Sequence, residues 1–248
     1  MCIVNREEAV LREFNLYPLW QRRVQPAPPE AVFPAAPATI AAMAPAAVDT
    51  PPMAIHPSLS QNELADLDWP ELKARVRDCT ACKLRAGCTQ TVFGVGDEKA
   101  GWLFVGEGPG ADEDAQGEPF VGQAGKLLDN MLMAIKLKRG RDVYIGNIVK
   151  CRPPGNRTPE ADEIATCLPY LQRQIALLRP KIIVALGKTA ANSLLGKDTT
   201  LASLRGRLHD YHGTPLVITY HPAYLLRTPA DKARAWQDLC LAVKTMEG

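Results

Sequence analysis

The feature that most constrains the fold of this 248-residue chain is an alternation of short apolar runs with longer helical patterns. The four runs, rich in β-branched residues, occupy residues 102–107, 143–149, 181–187 and 215–221. Helical periodicity lies between successive runs, at residues 124–136, 160–178 and 189–195, and after the last run, at residues 231–244. This order predicts βαβ units and therefore a three-layer α/β/α sandwich with a central, mostly parallel four-stranded sheet.

The first 57 residues do not share this pattern. At the start of the chain, Val10, Phe14 and Tyr17 fall on one face of a short amphipathic helix, which could dock on a protein partner. The stretch that follows contains nine prolines and eleven alanines in residues 26–57, a composition typical of a flexible linker. The chain therefore divides into a docking helix over 1–24, an Ala/Pro-rich linker over 25–57 and a globular domain over 58–248.

The composition indicates an intracellular protein. No stretch approaches the ~20 apolar residues of a membrane span, and the start MCIVNREEAV lacks the apolar run of a signal peptide. We therefore expect a cytoplasmic monomer with no membrane partner. Thiols stay reduced in that compartment, so the seven cysteines are expected to be ligands or bystanders, not disulfides. The net charge of +2 says little about partners.

Four cysteines have spacings that suit a metal centre. Cys79 and Cys82 form a CxxC pair, Cys151 follows the second apolar run, and Cys167 lies on the helix after it. Four thiolates can complete a tetrahedral zinc site or hold an iron–sulfur cluster, and the spacing alone does not decide between them. Buried free cysteines are the simpler alternative, and Cys88 competes for a ligand position.

Polar residues follow the apolar runs where parallel strands would place a ligand. Glu107 lies in the turn GEGPG after the first run, Asn147 lies within the second, and His221 ends the fourth. An acid, an amide and an imidazole at adjacent strand ends predict a site. The turn also matches the dinucleotide fingerprint, but no helix is expected before about Gly122 and the required later acid is missing, which disfavours a nucleotide cofactor.

The loop KCRPPGNRTP carries three cations among prolines. Lys150, Arg152 and Arg157 would suit contacts with DNA phosphates, although an ordinary solvated loop has the same composition. Cys151 and Cys167 would hold the loop rigid if they bound a metal centre, which favours the phosphate interpretation.

Several separate motifs, in order, resemble the family 4 uracil-DNA glycosylases, the iron–sulfur branch of their superfamily. They are GEGPG, GEPFVG, NIVKCRPPGNRTP and HPAYLLR, and the likeness covers roughly residues 72–246. It implies a 4Fe-4S cluster, a uracil-containing DNA substrate, single- or double-stranded, and hydrolysis of the N-glycosidic bond as the first step of base excision repair. The cluster ligands implied are Cys79, Cys82, Cys151 and Cys167.

The resemblance also implies roles around a uracil that is flipped out of the DNA. His221 would donate a hydrogen bond to the departing base, Leu225 would fill the vacated stack, and Arg227 would contact a phosphate. The implied uracil-binding residues are Gly106, Gly108, Gly110, Phe120 and Asn147.

One position departs from the best-known branch of the superfamily. Gly108 stands where that branch has the aspartate that positions the attacking water, so Glu107 or Glu113 is expected to take this part. Two alternatives remain: a catalytically weak nucleic-acid-binding iron–sulfur protein, and a redox iron–sulfur protein.

Overall fold

The computed structural model describes residues 64–247. The docking helix predicted over 1–24 and the linker predicted over 25–57 lie outside the described residues. Among the helices that are described, none combines the length and apolar character needed to cross a membrane.

Helices and strands alternate along the chain as the sequence predicts. The helices are α1 Trp69–Arg77, α2 Ala111–Gln116, α3 Gln123–Ala134, α4 Ala161–Leu178, α5 Lys188–Leu195, α6 Leu201–Leu204, α7 Pro222–Arg227 and α8 Lys232–Glu247. The strands are β1 Val95–Gly96, β2 Trp102–Gly106, β3 Val143–Asn147, β4 Ile182–Leu186, β5 Leu208–Tyr211 and β6 Thr214–Thr219. Short 3-10 turns cover Lys83–Gly87, Pro154–Asn156 and Pro229–Asp231.

The sheet has six strands in the order β1-β3-β2-β4-β6-β5. The four predicted strands form its centre and run parallel to one another. The prediction of only four strands is wrong, because β1 and β5 pair antiparallel at the two edges. Neither edge strand has an apolar run: β1 has two residues, and β5 leaves most of its side chains at least partly exposed.

Helices cover both faces of the sheet. Leu103 and Val105 of β2 pack with the buried residues of α1, α4 and α5 on one face. Trp102 and Phe104 point to the other face, where α3 and α8 supply the core. Burial on both faces explains why the central strands are continuously apolar and do not alternate with polar residues. The predicted three-layer α/β/α sandwich is confirmed.

A short helix begins immediately after the GEGPG turn, so the expectation of no helix before about Gly122 is wrong. Gly110 is the N-cap of α2, and the Glu113 carboxylate accepts its backbone N–H at 3.0 Å. Gly117 then ends the helix with a φ of 80°. The sequence ADEDAQ has no apolar periodicity, and its capping by a side chain within the same turn is what makes six residues helical.

Candidate active site

The carboxyl ends of the central strands meet at one edge of the sheet and form a crevice. Gly106 at the end of β2 pairs with Asn147 at the end of β3, and β4 and β6 end beside each other. Residues that line the crevice include Glu107, Pro153, Arg157, His221, Tyr224 and Arg227. Side chains from separate stretches of sequence therefore share one site, as the strand-end rule predicts.

The floor of this site is built around glycine. A Cβ at Gly106 would lie 2.5 Å from Asn147 Oδ1 and 2.6 Å from Phe120 Cζ. At Gly108 it would lie 2.7 Å from a Val149 methyl group, and at Gly110 2.6 Å from Glu113 Oε2. All four distances are too short for a real side chain, so the turn needs glycine for close packing. The predicted grouping of Gly106 with Phe120 and Asn147 is present.

Phe120 forms one wall of the site. Its ring stacks on the His221 ring with the centroids 5.5 Å apart and the planes at 30°. Its φ of 57° is rare for an aromatic residue, and two contacts hold it. Arg139 donates to the carbonyls of Pro119 and Phe120 at 2.9 and 2.8 Å, and Gly125 leaves room where a Cβ would meet the Phe120 oxygen at 1.8 Å. No sequence pattern identified Arg139, because it acts from 19 residues away.

Asn147 presents an unused acceptor inside the site. Its side chain is 2% exposed, and its Oδ1 has no hydrogen-bond donor among the described residues. A buried amide oxygen without a partner is costly, on the order of 1–3 kcal/mol. At the strand end beside the crevice, this acceptor is available to a donor group of a ligand.

His221 is positioned as a neutral hydrogen-bond donor. As N-cap of α7, its Nδ1 accepts the backbone N–H of Ala223 at 3.2 Å. Burial and the nearby Arg227 cation lower the pKa of His221 to about 4, against the opposing effect of the Glu113 carboxylate. The ring is therefore uncharged at neutral pH, and since Nδ1 is an acceptor, the proton is on Nε2.

The two candidate carboxylates have different surroundings. Glu107 lines the crevice and accepts a hydrogen bond from the Thr189 hydroxyl. Glu113 accepts backbone N–H groups of Gly110, Val121 and Gly122 at 2.9–3.1 Å. Glu113 thus ties the GEGPG turn to the GEPFVG turn, whereas Glu107 faces the space where a ligand would lie.

Lys150 is inside the protein, not on the predicted phosphate-binding surface. The residue is 1% exposed, and its ammonium donates to the Asn147 carbonyl at 2.9 Å and to Gln174 Oε1 at 2.6 Å. Burial lowers its pKa to about 8. The prediction that Lys150 contacts DNA is wrong for this conformation, because the ammonium is enclosed and has two protein acceptors. It instead braces the end of β3, where Asn147 lies.

Arg152 and Arg157 are on the predicted loop at the surface, but their guanidinium groups differ in the contacts that they make within the protein. Among residues 64–247, Arg152 makes one hydrogen bond, from its Nε atom to Asn156 at 2.7 Å. Arg157 makes a bidentate ion pair with Glu163, in which Nη1 donates to Oε2 at 2.8 Å and Nη2 donates to Oε1 at 2.7 Å. The Glu163 side chain is fully buried. This pair raises the pKa of Arg157 and lowers that of Glu163. Arg157 therefore fastens the loop to α4 while it also lines the crevice.

Helix α7 places Leu225 and Leu226 on different faces. Leu225 is 1% exposed and packs in the core, whereas Leu226 is 44% exposed. The prediction that Leu225 enters the DNA stack is therefore wrong for this conformation. Leu226 is the exposed leucine of α7, and Arg227 beside it is exposed at the crevice.

The predicted ligand cysteines lie together on one face of the sheet. Burial is the main cause of a raised pKa at Cys151, and the neighbouring thiols of Cys88, Cys167 and Cys82 add to it. Burial also raises the pKa of Cys167 to about 12, against the nearby Lys150 cation, with Cys82 and Cys79 adding to the rise. The backbone N–H of Lys150 donates to the Cys167 sulfur at 3.2 Å. Cys88 also contacts this group, so it remains a competitor for a ligand position.

Comparison with known proteins identifies a family. Residues 93–240 match the family model of the uracil DNA glycosylase superfamily. The chain is 47% identical over 162 residues to a type-4 uracil-DNA glycosylase of Thermotoga maritima, covering 64% of this chain and 84% of the relative. It is 42% identical over 185 residues to the type-4 enzyme of Pyrobaculum aerophilum, covering 71% and 93%. It is 43% identical over 167 residues to that of Archaeoglobus fulgidus, covering 64% and 83%.

Proposed function

Because the chain belongs to the uracil DNA glycosylase superfamily, we propose that it excises uracil from DNA by hydrolysing the N-glycosidic bond. The observation that supports this most is the unpartnered Oδ1 of Asn147, buried beside Phe120 and His221. A site with one free buried acceptor, one aromatic wall and one neutral donor matches a flat, uncharged base. Hydrolysis leaves an abasic site, the first intermediate of base excision repair.

Asn147 selects uracil through its amide. Its Oδ1 accepts the N3–H of uracil, and its NH₂ group donates to O4. Cytosine presents an acceptor at N3 and a donor at N4, so both contacts become repulsive. Lys150 helps to position Asn147 for this selection, because its ammonium donates to the Asn147 carbonyl at the end of β3.

Phe120 and His221 act on the base in different ways. Phe120 stacks on the flipped ring and limits the depth of the pocket. His221 donates from Nε2 to uracil O2, where negative charge builds as the bond from C1′ to N1 breaks. The electron pair of that bond leaves with the base, and a neutral donor stabilises the developing anion.

Glu107 orients the attacking water. Its carboxylate faces the crevice and is fixed by the Thr189 hydroxyl. The water oxygen bonds to C1′ as the base departs, and the carboxylate receives the water proton. Glu113 has a separate task, because its oxygens already accept three backbone N–H groups that shape the pocket.

The DNA backbone crosses the crevice between the 152–157 loop and α7. Arg152 and Arg227 are the cations with free donors for phosphate contacts on these two sides. Leu226 enters the gap left by the flipped nucleotide, because it is the exposed leucine of α7. Arg157 shapes the loop through Glu163 while it lines the crevice.

A 4Fe-4S cluster fits the cysteine group. The described residues contain no set of three or more side chains placed to hold a single metal ion, but a cluster binds each thiolate at a different iron. The buried thiols and the N–H donated to Cys167 suit such a centre, whose positive irons would stabilise thiolates that burial disfavours. Cys79, Cys82, Cys151 and Cys167 would hold it. Through Cys82, Cys151 and Cys167, a bound cluster would join the segment around Cys82 to the 152–157 loop and to α4.

The test is uracil release from a labelled oligonucleotide with a single uracil, followed by alkali to break the abasic strand. We expect cleavage at uracil and none in the matched cytosine oligonucleotide. Asn147→Asp should slow cleavage because an ionised carboxylate repels O4, whereas Asn130→Asp, an exposed position on α3, should not. Absence of cleavage with enzyme in excess over DNA would contradict the proposal.

A further inference from the structure

A pair of stacked, partly exposed aromatic rings lies at the crevice. The rings of Tyr220 and Tyr224 are 5.1 Å apart between centroids and nearly parallel, at 15°. Tyr224 also lines the crevice. The uracil contacts described above use neither ring, although Tyr220 directly precedes His221.

Charged side chains contact both rings of the stack. The guanidinium carbon of Arg205 lies 4.9 Å from the centroid of the Tyr220 ring. Arg205 is fixed in turn by the fully buried Asp238, to which its Nε and one Nη atom donate at 3.0 and 2.9 Å. The Tyr224 hydroxyl donates to Asp231 at 2.7 Å, which fixes the orientation of the outer ring. A flat, partly exposed ring held at both ends is a ready surface for stacking.

The position of Tyr224 matches that of a neighbouring nucleotide. His221 is the N-cap of α7 and Tyr224 lies in the first turn of that helix, and both side chains line the crevice. A base next to the flipped uracil therefore comes within reach of the Tyr224 ring when O2 of the uracil is at His221.

We propose that Tyr224, supported by Tyr220 and Arg205, is a stacking site for the base adjacent to uracil in single-stranded DNA. The inference rests on the proposed function, since it places the uracil at His221. In a single strand, the neighbouring base loses its stacking partner when uracil flips, and the Tyr224 ring replaces it. In a duplex, the neighbour keeps its pairing partner and the stack on its other side, so it gains less.

The experiment uses single-stranded oligonucleotides in which 2-aminopurine, a fluorescent base, stands next to a 2′-fluoro-2′-deoxyuridine that resists cleavage. Stacking on an aromatic ring quenches 2-aminopurine. We expect the wild-type protein and Tyr224→Phe to quench the bound probe on one side of the uracil, and Tyr224→Ala to leave it bright. Trp236→Ala, which removes an exposed aromatic ring from α8, should behave like the wild type.

Affinity and kinetics provide the second measurement. Removal of one base-stacking ring should weaken single-strand binding at least about fivefold, with a smaller change for the matched duplex and a rise in KM larger than the fall in kcat. Equal losses with both DNAs, or the same loss for Tyr224→Phe as for Tyr224→Ala, would overturn the stacking site. So would bright 2-aminopurine on both sides of the uracil in the wild-type complex.

The proposed function can fail separately. If the wild-type protein released no uracil but still quenched the probe through Tyr224, uracil excision would be refuted and the stacking site would stand as a single-strand contact. If it released uracil without this quenching, the stacking site would be refuted and the excision would stand. Thermal melting of each variant identifies any loss caused by unfolding.

Discussion

The base pocket and the cysteine region lie at the same end of the domain, but they are held together by different forces. Glycines, backbone hydrogen bonds and a stacked pair of uncharged rings close the pocket. The cysteine region consists of grouped thiols, among which burial raises the pKa of Cys151 and Cys167, and of a network of ion pairs around Glu163. The contacts that close the pocket involve no cysteine, whereas the cysteine region gathers groups that a metal cluster would stabilise. This difference predicts that cleavage of the N-glycosidic bond and binding of DNA can be lost separately.

The largest expected effect is on the metal content. Cys167→Ser removes a ligand from α4, and we expect nearly complete loss of iron together with a lower melting temperature, because a cluster stabilises only the folded form. Iron per protein and the absorbance of the cluster measure this. Cys88→Ser is the matched control and should keep its iron. If Cys88→Ser alone lost the iron, Cys88 would be the fourth ligand.

A smaller effect is expected from the ion pair that joins the two regions. Glu163→Gln keeps the shape but removes the buried charge that binds Arg157, which should cost roughly 1.5–3 kcal/mol of unfolding free energy. The loosened loop should also weaken DNA binding and make it more sensitive to salt. Glu160→Gln removes a half-exposed carboxylate from the same network and should change little. Equal effects of the two substitutions would contradict the prediction that the buried Glu163 carboxylate anchors the loop more strongly than Glu160.

The smallest expected effect is the contribution of His221 to the pH dependence of the unfolding free energy. The pKa of His221 is lowered to about 4 in the folded protein, while the unfolded value is about 6.5. The unfolded state thus binds more protons between these values, so the His221 contribution to stability is complete above pH 6.5 and is lost as the pH falls toward 4. Between pH 7 and 5, wild type should lose on the order of 1 kcal/mol more than His221→Gln in urea unfolding. An equal loss in both proteins would mean that His221 is not the group that titrates.

The sequence predicted the parts of the site that follow from strand order. Parallel strands must end at the same edge of the sheet, so Glu107, Asn147 and His221 could be brought together from their positions after apolar runs. The glycine turn was identified through the family resemblance, which implies Gly106, Gly108 and Gly110 as uracil-binding residues.

Predictions from the sequence were wrong or missing where the orientation of a side chain depends on partners elsewhere in the fold. Lys150 belongs to a basic loop by composition, but Gln174, 24 residues later, and the Asn147 carbonyl draw its side chain into the core. Leu225 and Leu226 are identical in type, and only the packing of α7 on the domain decides which is exposed. The partners of Arg157 and Phe120 could not be identified for the same reason, because Glu163 and Arg139 follow no motif.

The most direct test of the separation between the two regions compares His221→Ala with Cys167→Ser, using single-turnover cleavage at saturating enzyme and equilibrium binding to cleavage-resistant uracil DNA. His221→Ala should slow cleavage by about 10²–10³, the value of one preorganised donor, and leave Kd nearly unchanged. Cys167→Ser should raise Kd more than it lowers the saturated rate. If His221→Ala weakened binding as much as it slowed cleavage, His221 would position DNA and not stabilise the leaving base, and the assignment of chemistry to the pocket would be contradicted.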